Sequence, residues 1–165
     1  MFQVSDSTPD GATQVRREWM SVLARSPLDA LESGLRRISE SGSLPGRVWL
    51  RRPETGLVMV RGRIGGGGER FNLGEMTVTR CSLRVETGEV GVAYVNGRSH
   101  RKCEIAALSD ALLQGAAWRD VVQRLLVEPL RSQLEVERES LRRKAQATRV
   151  EFFTLAREAA TAPQA

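Results

Sequence analysis

Histidine and tyrosine each occur once in the 165 residues, cysteine occurs twice, and aromatic residues make up 5%. With a single histidine, His100, any Ser–His or Cys–His catalytic pair has to be built on that one residue. Ser99 is its chain neighbour, and neighbours in sequence rarely form a nucleophile–base pair. Cys81 and Cys103 stand far apart in sequence, so they make neither a disulfide framework nor a CxxC motif. Together with His100 they offer three ligands without a recognised spacing, and no metal site is expected. Such thiols ordinarily serve as small apolar core residues. Glu69 and Glu104 are acids with no evident partner for acid–base work. Long apolar runs are also missing. No stretch reaches the ~18 residues that a bilayer span needs. The opening MFQVSDSTPD has no basic segment leading into an apolar one. The expectation is a soluble cytoplasmic chain with no membrane contact.

Lysine is scarce: Lys102 and Lys144 are the two lysines among 25 basic residues. The formal charge is +5 and the pI is about 10.2, which points to an anionic partner. Arginine suits bidentate contacts with carboxylate or phosphate better than lysine does. An apolar fraction of 41% is enough for one modest core.

The apolar spacing divides the chain into three parts. Val15, Trp19, Val22 and Leu23 repeat at helical intervals. Ser26 and Pro27 read as N-cap and first residue of a second helix, whose inner face is Leu28, Leu31, Leu35 and Ile38. Then come β-rich runs at 47–52, 56–64, 76–85 and 89–96. PETG at 53–56 and ETGE at 86–89 read as turns, and the second is short enough for a hairpin. The stretch 65–74 reads as a loop of its own. After Gly97 the helical period returns, with an amphipathic helix from Arg101 to about Gln114 and a continuation to about Val127. Pro129 then opens a long, highly charged helix. Its narrow apolar stripe is Leu130, Leu134, Leu141, Ala145, Thr148 and Phe152. Charge pairs such as Arg131/Glu135 and Glu139/Arg143 sit at i,i+4 spacing on the other faces.

The expected fold is therefore α+β: N-terminal helices, a central antiparallel sheet of about four strands, and C-terminal helices including the long charged one. Residues 13–160 form one domain with a helical arm from about residue 129, between tails at 1–12 and 161–165. A helix polar on most faces with one thin apolar seam packs either on a larger body or as an edge helix of its own domain. Leu130, Leu134, Leu141, Phe152 and Phe153 are its candidate partner-binding residues.

Four glycines in a row, Gly65, Gly66, Gly67 and Gly68, are followed by Glu69 and Arg70. A phosphate-cradling P-loop needs Lys and Ser/Thr there, and a dinucleotide fingerprint needs a following helix. Neither nucleotide motif is present. The open readings are a flexible connector, a backbone docking surface and a phosphate nest. Strand alternation puts Arg61 and Arg63 on one side of their strand, opposite Val58, Val60 and Ile64. Arg80 and Arg84 share a side of the next strand, opposite Cys81, Leu83 and Val85. One sheet face is then apolar and the other carries these guanidiniums. The face is either solvated, laid on acidic partner side chains, or set against polyphosphate. Arg61, Arg63, Gly65 to Gly68, Glu69, Arg70, Arg80 and Arg84 are thus the candidate anion- or partner-facing set. No aromatic residues interleave with these arginines and no nucleic-acid motif is present, which weighs against a nucleic-acid-binding module. A free-standing enzyme lacks a nucleophile, base or ligand set, so no catalytic residue is assigned.

Several stretches resemble one family. They are Trp19-Met20-x-x-Leu23-Ala24, Glu54-Thr55-Gly56-Leu57-Val58, Gly65-Gly66-x-Gly68-Glu69-Arg70-Phe71, Asn72-Leu73-Gly74-Glu75-Met76-Thr77-Val78-Thr79-Arg80-Cys81, Gly97-Arg98, and Ala147-Thr148-Arg149-Val150-Glu151-Phe152-Phe153-Thr154. In this order they resemble the G subunit family, PhnG, of the bacterial carbon–phosphorus lyase core complex. The resemblance runs from about Trp19 to Thr154. It implies an accessory subunit of phosphonate catabolism, inactive alone, working with the H, I and J subunits and an ABC-type ATPase-like subunit. The reaction it implies for the assembly is a transfer that displaces adenine from ATP with a phosphonate, giving α-D-ribose 1-methylphosphonate 5-triphosphate. Later steps remove pyrophosphate and cleave the C–P bond. ATP with Mg and the phosphonate are substrates of the assembly. The resemblance puts nucleosidase-type chemistry on the I subunit and iron–sulfur chemistry on the J subunit, with no cofactor on the G subunit. One departure stands out. The family commonly reads His-Ala-Glu near the start of the helix after Gly97-Arg98, whereas this chain reads Lys102-Cys103-Glu104 with His100 earlier. No catalytic histidine is carried over.

Overall fold

The computed structural model describes residues 11–148. Residues 1–10 and 149–165 lie outside the described residues, and with them most of the expected N-terminal tail, the whole C-terminal tail, Phe152 and Phe153. Five helices and three strands follow in the order α1 (Gly11–Arg25), α2 (Leu28–Ser41), β1 (Arg47–Arg63), β2 (Arg70–Val85), β3 (Val90–Asn96), α3 (His100–Gln114), α4 (Ala116–Val122) and α5 (Glu128–Ala147). The α+β class is as expected. The sheet is antiparallel, in the order β1-β2-β3.

Three strands stand where about four were expected, because PETG is no turn. The runs 47–52 and 56–64 join through it into β1. Pro53 has no N–H to give to a ladder, but β1 is an edge strand, where that loss is tolerated. The misfit appears as register shifts between Trp49 and Arg51 and between Arg51 and Glu54, which place extra residues in β1. The expected loop at 65–74 is also shorter than its composition suggested. Pairing resumes at Arg70, opposite Arg63. The ETGE segment does close the β2–β3 hairpin, with the Val85 N–H donating to the Glu89 carbonyl at 3.1 Å.

α3 is the centre of the molecule. Residues 105–113 are all buried, so the expected amphipathic helix is instead enclosed on nearly every side. A helix that is apolar all round belongs inside. One side lies on Cys81, Leu83, Val85, Ala93 and Val95 of the sheet, and the other meets α1 and α2 through Leu23, Leu31 and Ile38. Gly91 of β3 lets the α3 backbone approach: a Cβ there would overlap the Ala107 carbonyl and lie 2.9 Å from the Ala111 nitrogen. Ser99 caps α3, accepting from the Lys102 N–H at 3.2 Å. Ser26 does not cap α2. Its hydroxyl turns back to the Val22 carbonyl at 2.8 Å and closes α1, leaving Pro27 at the α2 cap position.

Asp110 is a buried acid in this otherwise apolar helix. Its carboxylate accepts from Arg16 Nε at 3.1 Å and Nη2 at 2.6 Å, from Trp19 Nε1 at 2.9 Å, and from the Val92 N–H at 3.0 Å. The Gln114 amide donates to the Val90 carbonyl at 2.9 Å. Side chains of α1 and α3 thus occupy backbone groups on the outer edge of β3 that would otherwise be open to another strand.

Between α4 and α5 the helix continues through a π segment, Gln123–Val127. The wider turn accommodates Pro129, which an unbroken α-helix would not. The Arg37 guanidinium donates to the Leu125 carbonyl at 2.9 Å, and Leu126 packs over Gly34 of α2. Among the described residues no helix is long and apolar enough to cross a membrane.

Candidate functional site

β3 pairs with β2 only over residues 78–84. Beyond that, residues 57–63 of β1 and 70–77 of β2 pair with each other alone, as a two-stranded arm. At its tip Ile64–Gly66 form a 3-10 turn, closed by the Gly67 N–H donating to the Ile64 carbonyl, which the Gly68 N–H also reaches at 2.8 Å. Gly65 sits at φ 59, a conformation that favours glycine. The glycine run is therefore a built turn between two strands, and Arg63 Nη1 donates back across it to the Gly68 carbonyl at 3.2 Å.

A two-stranded ribbon is marginal by itself, and this one keeps large apolar side chains in solvent. Ile64 is 68% exposed, Leu73 65% and Leu57 62%, and Met59, Phe71 and Met76 are exposed as well. The cause lies in the layering. Residues opposite each other in an antiparallel pair share a face, and alternate residues along a strand share one too. Thr55, opposite the buried Thr79, lies on the inner face that α3 covers. Leu57, Met59, Arg61 and Arg63 continue that face outward. His100, the first residue of α3, reaches Thr55 with its Nε2 3.2 Å from Oγ1, and Thr55 is 3.1 Å from Thr79, which donates to the Gly97 carbonyl at 2.7 Å. The helix layer begins at Thr55, and the inner face runs past it uncovered.

The register does not gather the four sheet arginines on one face. Arg61 and Arg63 continue the inner face. Arg80 is opposite Glu54 and Arg84 is opposite Val48, on the outer face. A one-residue bulge in β2 between Asn72 and Gly74 brings Arg70 directly opposite Arg63 and sets Asn72 opposite Arg61. Arg61, Arg63 and Arg70 therefore crowd the tip, with exposed Glu69 beside them. Val58 and Val60 are half-buried, while Ile64 is in solvent. Arg80 already has its acid: Nε is 2.8 Å from Glu54 Oε1, which Arg51 also reaches at 3.2 Å. The bond to Glu54, with help from Tyr94, raises the Arg80 pKa.

Leu130, expected to meet a partner, is buried in the chain's own core, and Leu134 packs against that core. α5 lies against α1 and the π segment at its start, which is why its first apolar positions are used internally. Leu141 and Val136 further along are exposed. Among the described residues Arg131/Glu135 and Glu139/Arg143 form no ion pair.

Cys81 and Cys103, distant in sequence, meet inside the core. Cys103 Sγ lies 3.3 Å from Cys81 Sγ and 3.3 Å from the Thr79 carbonyl, and Cys81 Sγ donates to the Cys103 carbonyl at 3.3 Å. The bond from Cys103 lowers the Cys81 pKa, and that bond together with burial raises that of Cys103. Among the described residues no three His, Cys, Asp or Glu side chains are placed to hold a metal ion. Glu104 is held by Arg47 at 2.8 Å and Arg101 at 3.0 Å, and Arg101 also reaches Glu32 at 3.3 Å. Sequence reasoning missed Arg16 and Asp110; the signal was an acid within ALSDALL, where every neighbour is a core type.

A family model described as phosphonate metabolism protein PhnG matches residues 14–158. A relative from Rhizobium meliloti (strain 1021), described as alpha-D-ribose 1-methylphosphonate 5-triphosphate synthase subunit PhnG, is 42% identical over 157 residues, covering 95% of this chain and 98% of its own length. The match takes in both strands of the arm and the helices that carry Asp110 and its donors, and the chain belongs to the PhnG family of phosphonate metabolism proteins.

Proposed function

We propose that this chain is the PhnG subunit of an α-D-ribose 1-methylphosphonate 5-triphosphate synthase and serves it by building the assembly. Its partners are the H, I and J subunits and the ABC-type ATPase-like subunit. They hold ATP with Mg and the phosphonate, and this chain binds no cofactor and is inactive alone. The observation that carries the reading is the uncovered inner face of the arm. Apolar side chains at Leu57 and Met59 sit where a helix layer stops. A partner subunit takes the place of that layer and removes their apolar surface from water. Arg61, Arg63 and Arg70, with Glu69 and the turn Gly65 to Gly68, form the charged end of the same contact. A guanidinium covered by a partner is costly unless it meets an anion, so these residues select an acidic surface. The site works in the cytoplasm.

Co-expression with the other subunits tests this. Tagged wild-type chain should retain them through purification. The double variant Leu57→Lys/Met59→Lys, with an unchanged melting curve, should release them and abolish growth on methylphosphonate. Full retention by that variant overturns the assignment of the arm. Turnover of ATP and methylphosphonate by the purified chain alone overturns the accessory role.

A further inference from the structure

The arm offers a second surface besides its inner face. β1 is the outermost strand, and all ten residues at 54–63 are paired on one side, with β2. Among the described residues no backbone hydrogen bond reaches their other side. Exposed strand edges are usually blunted by proline, bulges or a covering side chain. β3 has such cover from Asp110, Gln114 and Arg16. β1 has its proline and its own bulges at the base, up to Glu54, and the further register shift at Val60/Arg61 puts its extra residue in β2, away from the outer edge. The remaining edge is regular and long enough to receive a whole strand.

We infer that this edge takes up an extended segment of another subunit of the same synthase as a fourth strand. The inference rests on the docking role of the arm and adds how the partner is held. Main-chain hydrogen bonds along 54–63 supply the pairing, and side chains at alternate positions supply the choice of partner. Leu57 and Met59 require apolar residues beside them. Arg61 and Arg63, which have no acid within the described chain, require acidic residues at the tip end. The incoming segment is therefore apolar toward the base and acidic toward the tip. Pro53 and the bulges stop it at Glu54 and so fix its register.

Hydrogen exchange of the backbone amides tests this, measured on the full chain alone and in the purified assembly. An added strand accepts from every second residue of its neighbour. Alternate amides within 54–63 should therefore slow on the order of 100-fold on assembly. Three results overturn the inference. If Leu57→Lys/Met59→Lys breaks the assembly while the amides at 54–63 exchange equally in both forms, the partner packs on side chains and adds no strand. If protection appears instead on the outer side of 70–76, the strand has been given the wrong edge. If the amides slow in the isolated chain as its concentration rises, the occupant is a second copy. Should neither the exchange nor the double variant show any effect of assembly, the docking role falls along with the strand.

Discussion

The indole Nε1 of Trp19 lies 2.9 Å from Oδ1 of Asp110, joining α1 to α3 across 91 positions of sequence. Arg16 and the Val92 N–H use the rest of the same carboxylate, so one buried acid holds helix, helix and strand together. Asp110→Ala leaves buried donors without an acceptor and should cost about 3 kcal/mol. Asp110→Asn should cost nearly as much, because its NH2 would face other donors. Trp19→Phe, which removes the indole N–H together with part of a buried ring, should cost about 2 kcal/mol. Urea unfolding of the three variants measures the ordering.

Gly91 and Gly65 should respond to a methyl group unequally and for different reasons. At Gly91 the obstacle is the α3 backbone, which has no side chain to swing away. Gly91→Ala should cost about 3 kcal/mol or prevent folding. At Gly65 nothing lies within 4 Å of an added Cβ, and the cost is that of its positive φ, about 1 kcal/mol. Denaturation midpoints of the two variants check the contrast.

Glu104 links β1 to α3 and makes stability depend on acid. Burial pushes its pKa up, but its bonds to Arg47 and Arg101 outweigh that and leave it lowered. A carboxyl with a lowered folded pKa stabilises above its unfolded value, about 4.3, and loses that contribution as pH falls through the folded value. Glu104→Gln should therefore be less stable than wild type at pH 7, by a few tenths to about 1 kcal/mol. The gap should close below about pH 4. Thermal melts across pH 3 to about 7 in one buffer series test it.

Arg63 and Arg70 are like charges placed directly opposite each other, an arrangement that weakens a hairpin. Arg63→Glu should leave the isolated chain as stable or more so, by about 0.2–1 kcal/mol. The same variant should lose its partners and growth on methylphosphonate. Arg80→Ala, whose acid is already Glu54, should leave assembly intact. Parallel melting and co-purification of both variants separate stability from docking.

Much of this architecture was legible from local pattern. The helices announced themselves by apolar spacing, the ETGE hairpin by its turn residues, and the glycine run as a link between strands. What escaped was whatever depends on distant residues. Pro53 and Gly56 read as a turn in isolation, and only the edge position of β1 allows them inside a strand. Asn72 and Gly74 read as loop, while cross-strand pairing with Arg61 and Val60 keeps them in β2. The arginines were seen as a group, but which of them meet is decided by register and by the bulge between Asn72 and Gly74. Arg80 seemed to need an external acid because Glu54 lies 26 positions away. Leu130 seemed free because the wall it covers is made by α1 and the π segment.

The π segment also sets where the last helix points. An α-helix turns about 100° per residue, and a π turn holds one residue more than an α turn. Deleting a single residue from 123–127 would force Pro129 into an α ladder that it cannot complete, because its ring meets the carbonyl four residues before it. The last helix would then kink or break at the proline, and Leu126 would lose its seat on Gly34. Relatives one residue shorter there should lack the proline as well.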